Sequence, residues 1–502
     1  SLEVLRAIGV DCGGSNVQFA VKPDTRRMVI VEMNPRVSRS SALASKATGF
    51  PIARCAARLA IGFTLDEIIN EITGKTVSAF EPSLDYVVVK VPRFEMEKFP
   101  RNYETLGTQM KSVGESLAIG RTFNEALNKA IRACEFGFEG LSEPKVIDED
   151  SLARFLTAFH PMRLFAVYHE IRKHGEAAIP RLFGKTHFST WFLYQILDLV
   201  KLEKLVAEEP LSRDLVLEAK RYGLSDRQIA DLRGMTTDEV EAYRNKEKIF
   251  ASYHFVDTCA GEFEANTPYF YSTFGEIDEG EPVKGDAVII LASGPNRIGQ
   301  GLEFDTCCTL ASFAYRRQKV KTIIVNSNPE TVSTDFNTSD RLYMEPLTAE
   351  TVKEVIRKEG IKDVIVQLGG QTPLNMAKEL VNFGARIVGT PLSAIHAAED
   401  RSLFADLLNR LDLKQPENRI ARTRQEIFDC SEEIGFPVLL RPSFVLGGRS
   451  MFVAYTKEEL YEFLSMGINV NEETPVLVDR FLEDALEYDL DAIADGESIY
   501  IA

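Results

Sequence analysis

No apolar run in the chain approaches the roughly 20 residues that a membrane-crossing helix needs. The opening residues, Ser1-Leu2-Glu3, show no signal-peptide pattern, so the expected location is the cytoplasm. Basic charge is in deficit as well. With 58 Lys and Arg against 75 Asp and Glu, the formal net charge is −17. That balance argues against a nucleic-acid-binding surface, because such binding rests on neutralising phosphates. It leaves nucleotide binding open, since local arginines and backbone N–H groups decide that. Cysteine is scarce and scattered, at 12, 55, 134, 259, 307, 308 and 430. The adjacent pair Cys307-Cys308 sits in an apolar stretch and reads as buried free thiols, not as a disulfide or a metal site. The six histidines fall at no ligand spacing.

What is present is ordinary globular material: 45% hydrophobic and 26% charged over 502 residues, enough for three or four domains. Residues 1–136 alternate strand and helix signals. Leu84 to Val91 reads as a strand ending at Pro92, and Thr64-Leu65-Asp66-Glu67 as a capping box opening a helix. From about 150 to 265 the chain reads as mostly helical. Phe192, Ile196, Leu199, Leu202 and Val206 recur at helical spacing within Trp191 to Glu209, and capping boxes stand at Ser225-x-x-Gln228 and Thr236-x-x-Glu239. This stretch offers no catalytic constellation and suits an all-α packing or assembly module. Beyond an acidic linker, Glu276 to Gly285, strands and helices alternate in the manner of a parallel sheet. The last residues, Ser498 to Ala502, read as an unfinished strand, which suggests a fragment.

The richest local pattern lies near the start. Asn16 to Lys22 and Met28 to Asn34 are β-rich runs with Pro23-Asp24 as turn chemistry between them. A turn centred on Thr25 sets Gln18 opposite Glu32. Alternation puts Val17, Phe19, Val21, Val29, Val31 and Met33 on one apolar, core-facing side, and Asn16, Gln18, Glu32 and Asn34 on the other. One carboxylate with carboxamides suits Mg²⁺, which takes oxygen ligands alongside substrate phosphates. Arg36 and Arg39 follow and can fork onto phosphate or carboxylate oxygens. A hairpin with one solvated polar face accounts for the same pattern.

Further candidates lie downstream. Ser293 to Gly301 is a Gly-rich loop after a strand, able to approach an anion or simply to turn. Asn326 to Thr331 and Gly369 to Pro373 also follow strands, where ligands bind in open sheets and turn residues collect for structural reasons alike. Arg441 ends a strand before Pro442 to Arg449, in which Gly447-Gly448 can close over a nucleotide or form a plain turn. Glu487 can accept from ribose hydroxyls or be one more solvated acid. Gly223 to Gly234 has the look of a helix-turn-helix opening, which the acidic balance disfavours as a DNA-binding element.

Taken together, Glu32 to Gly49, Gly294 to Gly301, Asn328 to Asp335 and Arg441 to Arg449 resemble the carbamoyl-phosphate synthetase large-subunit family of the ATP-grasp superfamily, over essentially the whole chain. The resemblance implies an α/β fold with a central all-α domain. Residues 1–136 would be the C-terminal part of a first ATP-grasp unit, which makes carboxyphosphate, and 137–286 a helical oligomerisation domain. Residues 287–395 would be the pre-ATP-grasp domain of a second unit, which makes carbamoyl phosphate, and 396–502 the N-terminal part of its ATP-grasp. It implies ATP and Mg²⁺ or Mn²⁺ as cofactors. The substrates would be bicarbonate, ammonia and carbamate; the partners, a glutaminase small subunit and further copies of the chain through the helical domain.

By the same resemblance Gln18, Glu32 and Asn34 bind the metal, with Gln18 and Glu32 also near ATP, and Arg36 and Arg39 steady the bicarbonate-derived anion. In the second unit, Arg401 and Arg441 contact phosphates, Gly447 and Gly448 cover them, Arg480 and Leu482 lie by the adenine, and Glu487 holds the ribose. Each nucleotide site would then be only partly contained in these residues, leaving them inactive alone. Another ATP-grasp ligase, such as a biotin carboxylase, is the alternative enzyme reading.

Overall fold

The computed structural model describes residues 1–22, 25–96, 105–144, 147–442, 451–465 and 475–501. The chain forms two compact units, Ser1–Leu392 and Ser393–Ala502.

The first unit opens with helix α1 (Leu2–Ile8) and the antiparallel hairpin β1 (Asn16–Val21) and β2 (Met28–Asn34). Helices α2 (Arg39–Thr48) and α3 (Ile52–Ala60) follow, then a second antiparallel pair, β3 (Val87–Phe94) and β4 (Ser112–Gly120), with α4 (Phe123–Ala133) packed on it. The helical module comprises α5 (Glu149–Phe155), α6 (Arg163–His174), α7 (Ile179–Thr186), α8 (Thr190–Glu208), α9 (Arg213–Arg221), α10 (Asp226–Arg233) and α11 (Thr237–Glu247). Ile196, Leu199, Leu202 and Val206 of α8 fill its core, whereas Phe192 stays exposed against Phe123 and Trp191. Both expected capping boxes form: Gln228 N–H donates to Ser225 Oγ at 3.1 Å and Glu239 N–H to Thr236 Oγ1 at 3.3 Å.

The rest of the unit is a seven-stranded sheet, built by β5 (Ser252–Phe255), β6 (Tyr269–Thr273), β7 (Ala287–Leu291), β8 (Lys321–Val325), β9 (Arg341–Tyr343), β10 (Asp363–Ile365) and β11 (Arg386–Ile387). Its order is β11-β10-β7-β8-β9-β6-β5, parallel throughout except for β5 against β6. Helices α12 (Leu302–Arg317), α13 (Ala349–Glu359) and α14 (Gln371–Phe383) make the crossovers. Strand β7 is apolar and buried along its whole length, as a central parallel strand must be. The order reverses at β7, so the loops after β7, β8 and β10 gather at a topological switch point.

Helices α15 (Leu392–Glu399) and α16 (Arg401–Arg410) come next in the chain. The second unit is a four-stranded antiparallel sheet ordered β12-β15-β13-β14 (Asn418–Ala421, Val438–Pro442, Phe452–Ala454 and Val476–Arg480 being β12, β13, β14 and β15). Helices α17 (Arg424–Ile434) and α18 (Lys457–Ser465) cover it around Ile427, Val438, Leu440, Leu460 and Val478, and a short hairpin, β16 (Ala492–Ala494) and β17 (Ile499–Ile501), ends the chain.

Five expectations need correction. The apolar side of the first hairpin is not a core face: Val21 and Val31 are more than half exposed, and Phe19 and Val29 are exposed as well. Thr64 N–H does donate to Glu67 Oε2 at 2.9 Å, but the chain turns instead of entering a helix, because Ile69 bridges back to Val77. Strand β3 runs through Pro92; β4 is the one strand paired with it in this two-stranded sheet, and a missing N–H is tolerated on such an edge. The helical stretch stops at Glu247, and β5 and β6 join the parallel sheet. Cys308 is buried but Cys307 is exposed, since neighbours on a helix point about 100° apart. Among the described residues, no helix is long and apolar enough to cross a membrane.

Candidate active site

The hairpin brings its three polar candidates together. Pairing sets Asn16 opposite Asn34, Val17 opposite Met33 and Gln18 opposite Glu32. Gln18 Nε2 donates to Glu32 Oε1 at 2.8 Å, and Asn34 Nδ2 reaches the same oxygen at 3.3 Å. The register then slips: Phe19 pairs with Ile30, leaving Val31 as the extra residue of a β-bulge. The bulge keeps Phe19 and Ile30 on the face away from Glu32, so the polar trio stays on one side despite the slip.

The donor set fits a hard divalent cation: one carboxylate and two carboxamide oxygens. The amides now aim their NH₂ groups at the carboxylate. A half-turn of each amide presents oxygen instead, which is chemically open to both. Beside them the buried Asn16 Oδ1 has no hydrogen-bond partner, so a ligand-seeking oxygen already lies at the same end of the hairpin. Among the described residues no three His, Cys, Asp or Glu side chains form a metal-holding group, which leaves this mixed acid–amide trio as the metal candidate.

The two arginines differ. Arg36 lies in the exposed turn after β2, where Nη1 donates to Val37 O at 3.3 Å. Arg39 opens α2, whose start is fixed by Ser38 N–H donating to Ser41 Oγ at 3.1 Å. Its guanidinium pairs with Glu330, in the loop after β8. Glu330 in turn meets Glu115 of β4, and Lys90 Nζ sits 2.7 Å from Glu115 Oε2. Burial, then the hydrogen bond and charge of Glu115, push the Glu330 carboxyl up to about 7 against the pull of Arg39 and Lys90. Glu115 and Glu330 were not among the sequence candidates. Glu115 had a signal, a lone acid in a strand of small and apolar residues; Glu330 stood unused inside Asn326 to Thr331.

The glycine-rich loops at the switch point are filled by the chain itself. Glu95 Oε2 accepts from Ile298 N–H at 3.1 Å and Glu303 Oε1 from Gly301 N–H at 2.9 Å. Arg297 spends its guanidinium on Gln300 at 2.8 Å, Thr372 at 2.9 Å and Glu135 at 3.3 Å. Asn326 bonds Asp305 at 3.1 Å and Ser333 at 2.9 Å. A β-carbon on Gly369 would lie 2.4 Å from Leu291 O, so that glycine serves close packing. The anion-cradle reading of Ser293 to Gly301 gives way to a structural one.

In the second unit Arg441 Nε lies 2.5 Å from Asp479 Oδ2 on the adjoining strand. Arg480 Nη1 donates to Gly435 O at 2.8 Å and Phe436 O at 3.3 Å, bracing the turn that enters β13. Leu482 and Glu487 are exposed beyond the end of β15. Arg401 is the first residue of α16, whose N-cap Asp400 accepts from Leu403 N–H at 2.9 Å. Gly447 and Gly448 lie outside the described residues.

Three family models match. The ATP-binding domain of the carbamoyl-phosphate synthase L chain matches residues 1–68 and 400–502. The oligomerisation domain of the carbamoyl-phosphate synthetase large chain matches 115–248. The carbamoyl phosphate synthase pre-ATP-grasp domain matches 284–397. Curated relatives named carbamoyl phosphate synthase large chain align with the whole chain: 49% identity in Archaeoglobus fulgidus and 51% in Pseudomonas syringae pv. tomato, with 47% of each relative covered. The chain belongs to the carbamoyl-phosphate synthase large-chain family. It spans about half the length of those family members. Among solved structures, the biotin carboxylase domain of Hydrogenobacter thermophilus 2-oxoglutarate carboxylase is similar at 19% identity and a TM-score of 0.30, over 39% of this chain and 44% of that one, too slight a likeness to argue from. The would-be helix-turn-helix falls inside the family's oligomerisation domain. There Asp226 at the start of α10 is buried between Lys220 and Arg244, and its N–H donates to Glu350 at 2.8 Å.

Proposed function

We propose that this chain carries part of a carbamoyl-phosphate synthase large chain, an ATP-dependent carbon–nitrogen ligase. Its substrates are bicarbonate, ATP and ammonia drawn from glutamine by a glutaminase small subunit. Its product, carbamoyl phosphate, feeds arginine and pyrimidine synthesis. Residues 1–136 serve the first phosphorylation, 137–286 self-association, and 287–395 with 396–502 the second phosphorylation. The observation that supports this reading best is the convergence of Gln18 and Asn34 on the Glu32 carboxylate.

In this reading Gln18, Glu32 and Asn34 hold Mg²⁺ or Mn²⁺, which supplies neutralising charge to the ATP phosphates. Arg36 and Arg39 steady the anion that accepts the phosphoryl group, so that charge developing on its oxygens meets preorganised donors. Arg39 has a partner already in Glu330. Burial and the neighbouring Glu115 raise that carboxyl, which weakens its hold on the guanidinium, and an incoming anion can compete for Arg39. Arg401 and Arg441, with Gly447 and Gly448, serve the second nucleotide's phosphates; Arg480, Leu482 and Glu487 serve its adenosine.

The test is bicarbonate-dependent ATP hydrolysis by the full-length large chain. Glu32→Ala removes the one charged metal ligand and is expected to lower that rate by at least roughly 10–100-fold, the range seen when a metal site loses even an outer partner. A near-normal rate would exclude Glu32 as a ligand.

A further inference from the structure

Helix α2 touches the loop after β8 at two levels. Arg39 and Lys46 are seven positions apart, about two turns, and so share a face of the helix. Arg39 grips the Glu330 side chain. Lys46 is 3% exposed, and its Nζ donates to Pro329 O and Thr331 O, both at 2.9 Å. Those carbonyls flank Glu330 on either side. Asp335 Oδ1, at 3.1 Å, completes the ammonium's three partners. Burial pulls the ammonium's pKa down and Asp335 resists it, so the charge is held by this one carboxylate and two carbonyl dipoles. The far end of α2 is equally constrained: Gly49 adopts φ 76°, and a β-carbon there would lie 2.6 Å from Val256 O.

We infer that Lys46 is a positioning residue: it fixes the backbone around Glu330, so that the cluster of Glu330, Glu115 and Arg39 keeps its geometry and the hairpin site stays tied to the switch-point edge of the parallel sheet. The residue touches no reacting group. Its side chain is two helical turns beyond Arg39, and its three donors all go to the opposing loop. A lysine needed only for packing would not place both main-chain carbonyls on either side of one carboxylate. This inference rests on the function just proposed, because the tie matters where two phosphorylations must stay linked.

The experiment uses the full-length large chain with its glutaminase partner. The KM values for bicarbonate and for ATP in bicarbonate-dependent ATP hydrolysis are measured for Lys46→Met and Lys46→Arg. Lys46→Met loosens the cluster that holds Arg39, so the KM for bicarbonate is expected to rise about 3- to 30-fold while the KM for ATP stays within about twofold. Lys46→Arg, which keeps the charge and the donors, is expected to recover most of the bicarbonate KM. An unchanged bicarbonate KM in Lys46→Met, an equal rise in both KM values, or no recovery in Lys46→Arg would overturn the inference. Should Lys46→Met not fold, Asp335→Asn loosens the same ammonium from an exposed carboxylate; a wild-type bicarbonate KM in that variant overturns the inference, and a raised one supports it. Failure of the proposed function itself looks different, as absent bicarbonate-dependent hydrolysis in the unmodified protein.

Discussion

Glu203 gives the helical module a built-in pH response. It is 5% exposed on α8, in the apolar core, and accepts from Tyr168 Oη. Arg172 reaches only that hydroxyl, at 3.3 Å, so the carboxylate lacks a direct cation. Burial raises its carboxyl from 4.5 to about 7, with the Glu143 charge adding to the rise and Tyr168 and Arg172 opposing it. The sign follows from linkage. Between those values the folded protein holds a proton that the unfolded chain has released, so stability falls as pH rises through this window. From pH 5.5 to beyond 7 the loss is roughly 2 kcal/mol, taking 1.36 kcal/mol for each of about 1.5 pH units. Glu203→Gln keeps the acceptor for Tyr168 and removes the titration. Urea unfolding of both proteins at pH 5.5 and pH 8 isolates the effect from every other group. The variant should gain roughly 2 kcal/mol on wild type between the two conditions. A stability difference that is flat across that range would refute the reasoning, because it would mean that Glu203 ionises alike in both states.

Two further outcomes follow from packing and charge. Asp226→Ala leaves Lys220 and Arg244 short of a partner that sits 3.0 Å from one and 2.8 Å from the other; breaking a buried ion pair typically costs about 3–5 kcal/mol, read as a lower denaturant midpoint. Gly114→Ala puts a β-carbon 2.2 Å from Asn296 O. Backbone cannot yield as a side chain does, so the loss of stability should reach about 3 kcal/mol by the same measurement, and a neutral result would show that β4 and this loop are not in register as described.

The sequence carried most of the fold because the elements are locally consistent. Capping boxes at Ser225 and Thr236, the helical stripe from Ile196 to Val206 and the continuous apolar strand at Ala287 each state their own structure. The hairpin was legible near its open end, where side-chain chemistry and turn symmetry agree on Gln18 against Glu32. The slip at Val31 was not, because a bulge is a backbone event with no glycine here to announce it. Nor was Glu115 against Glu330, since the whole helical module lies between them in the chain and only tertiary folding joins them. The glycine loops expose a deeper limit. Glycine spacing says that backbone N–H groups can approach an anion, but not whose anion it is. At Ile298 and Gly301 the acceptors are Glu95 and Glu303 of the same chain. A cationic or donor-rich loop therefore marks a nucleotide site only where the protein leaves its donors unfilled. The hairpin site meets the converse condition for a cation: two of its amides turn on a single carboxylate oxygen while the Asn16 oxygen beside them is unpaired.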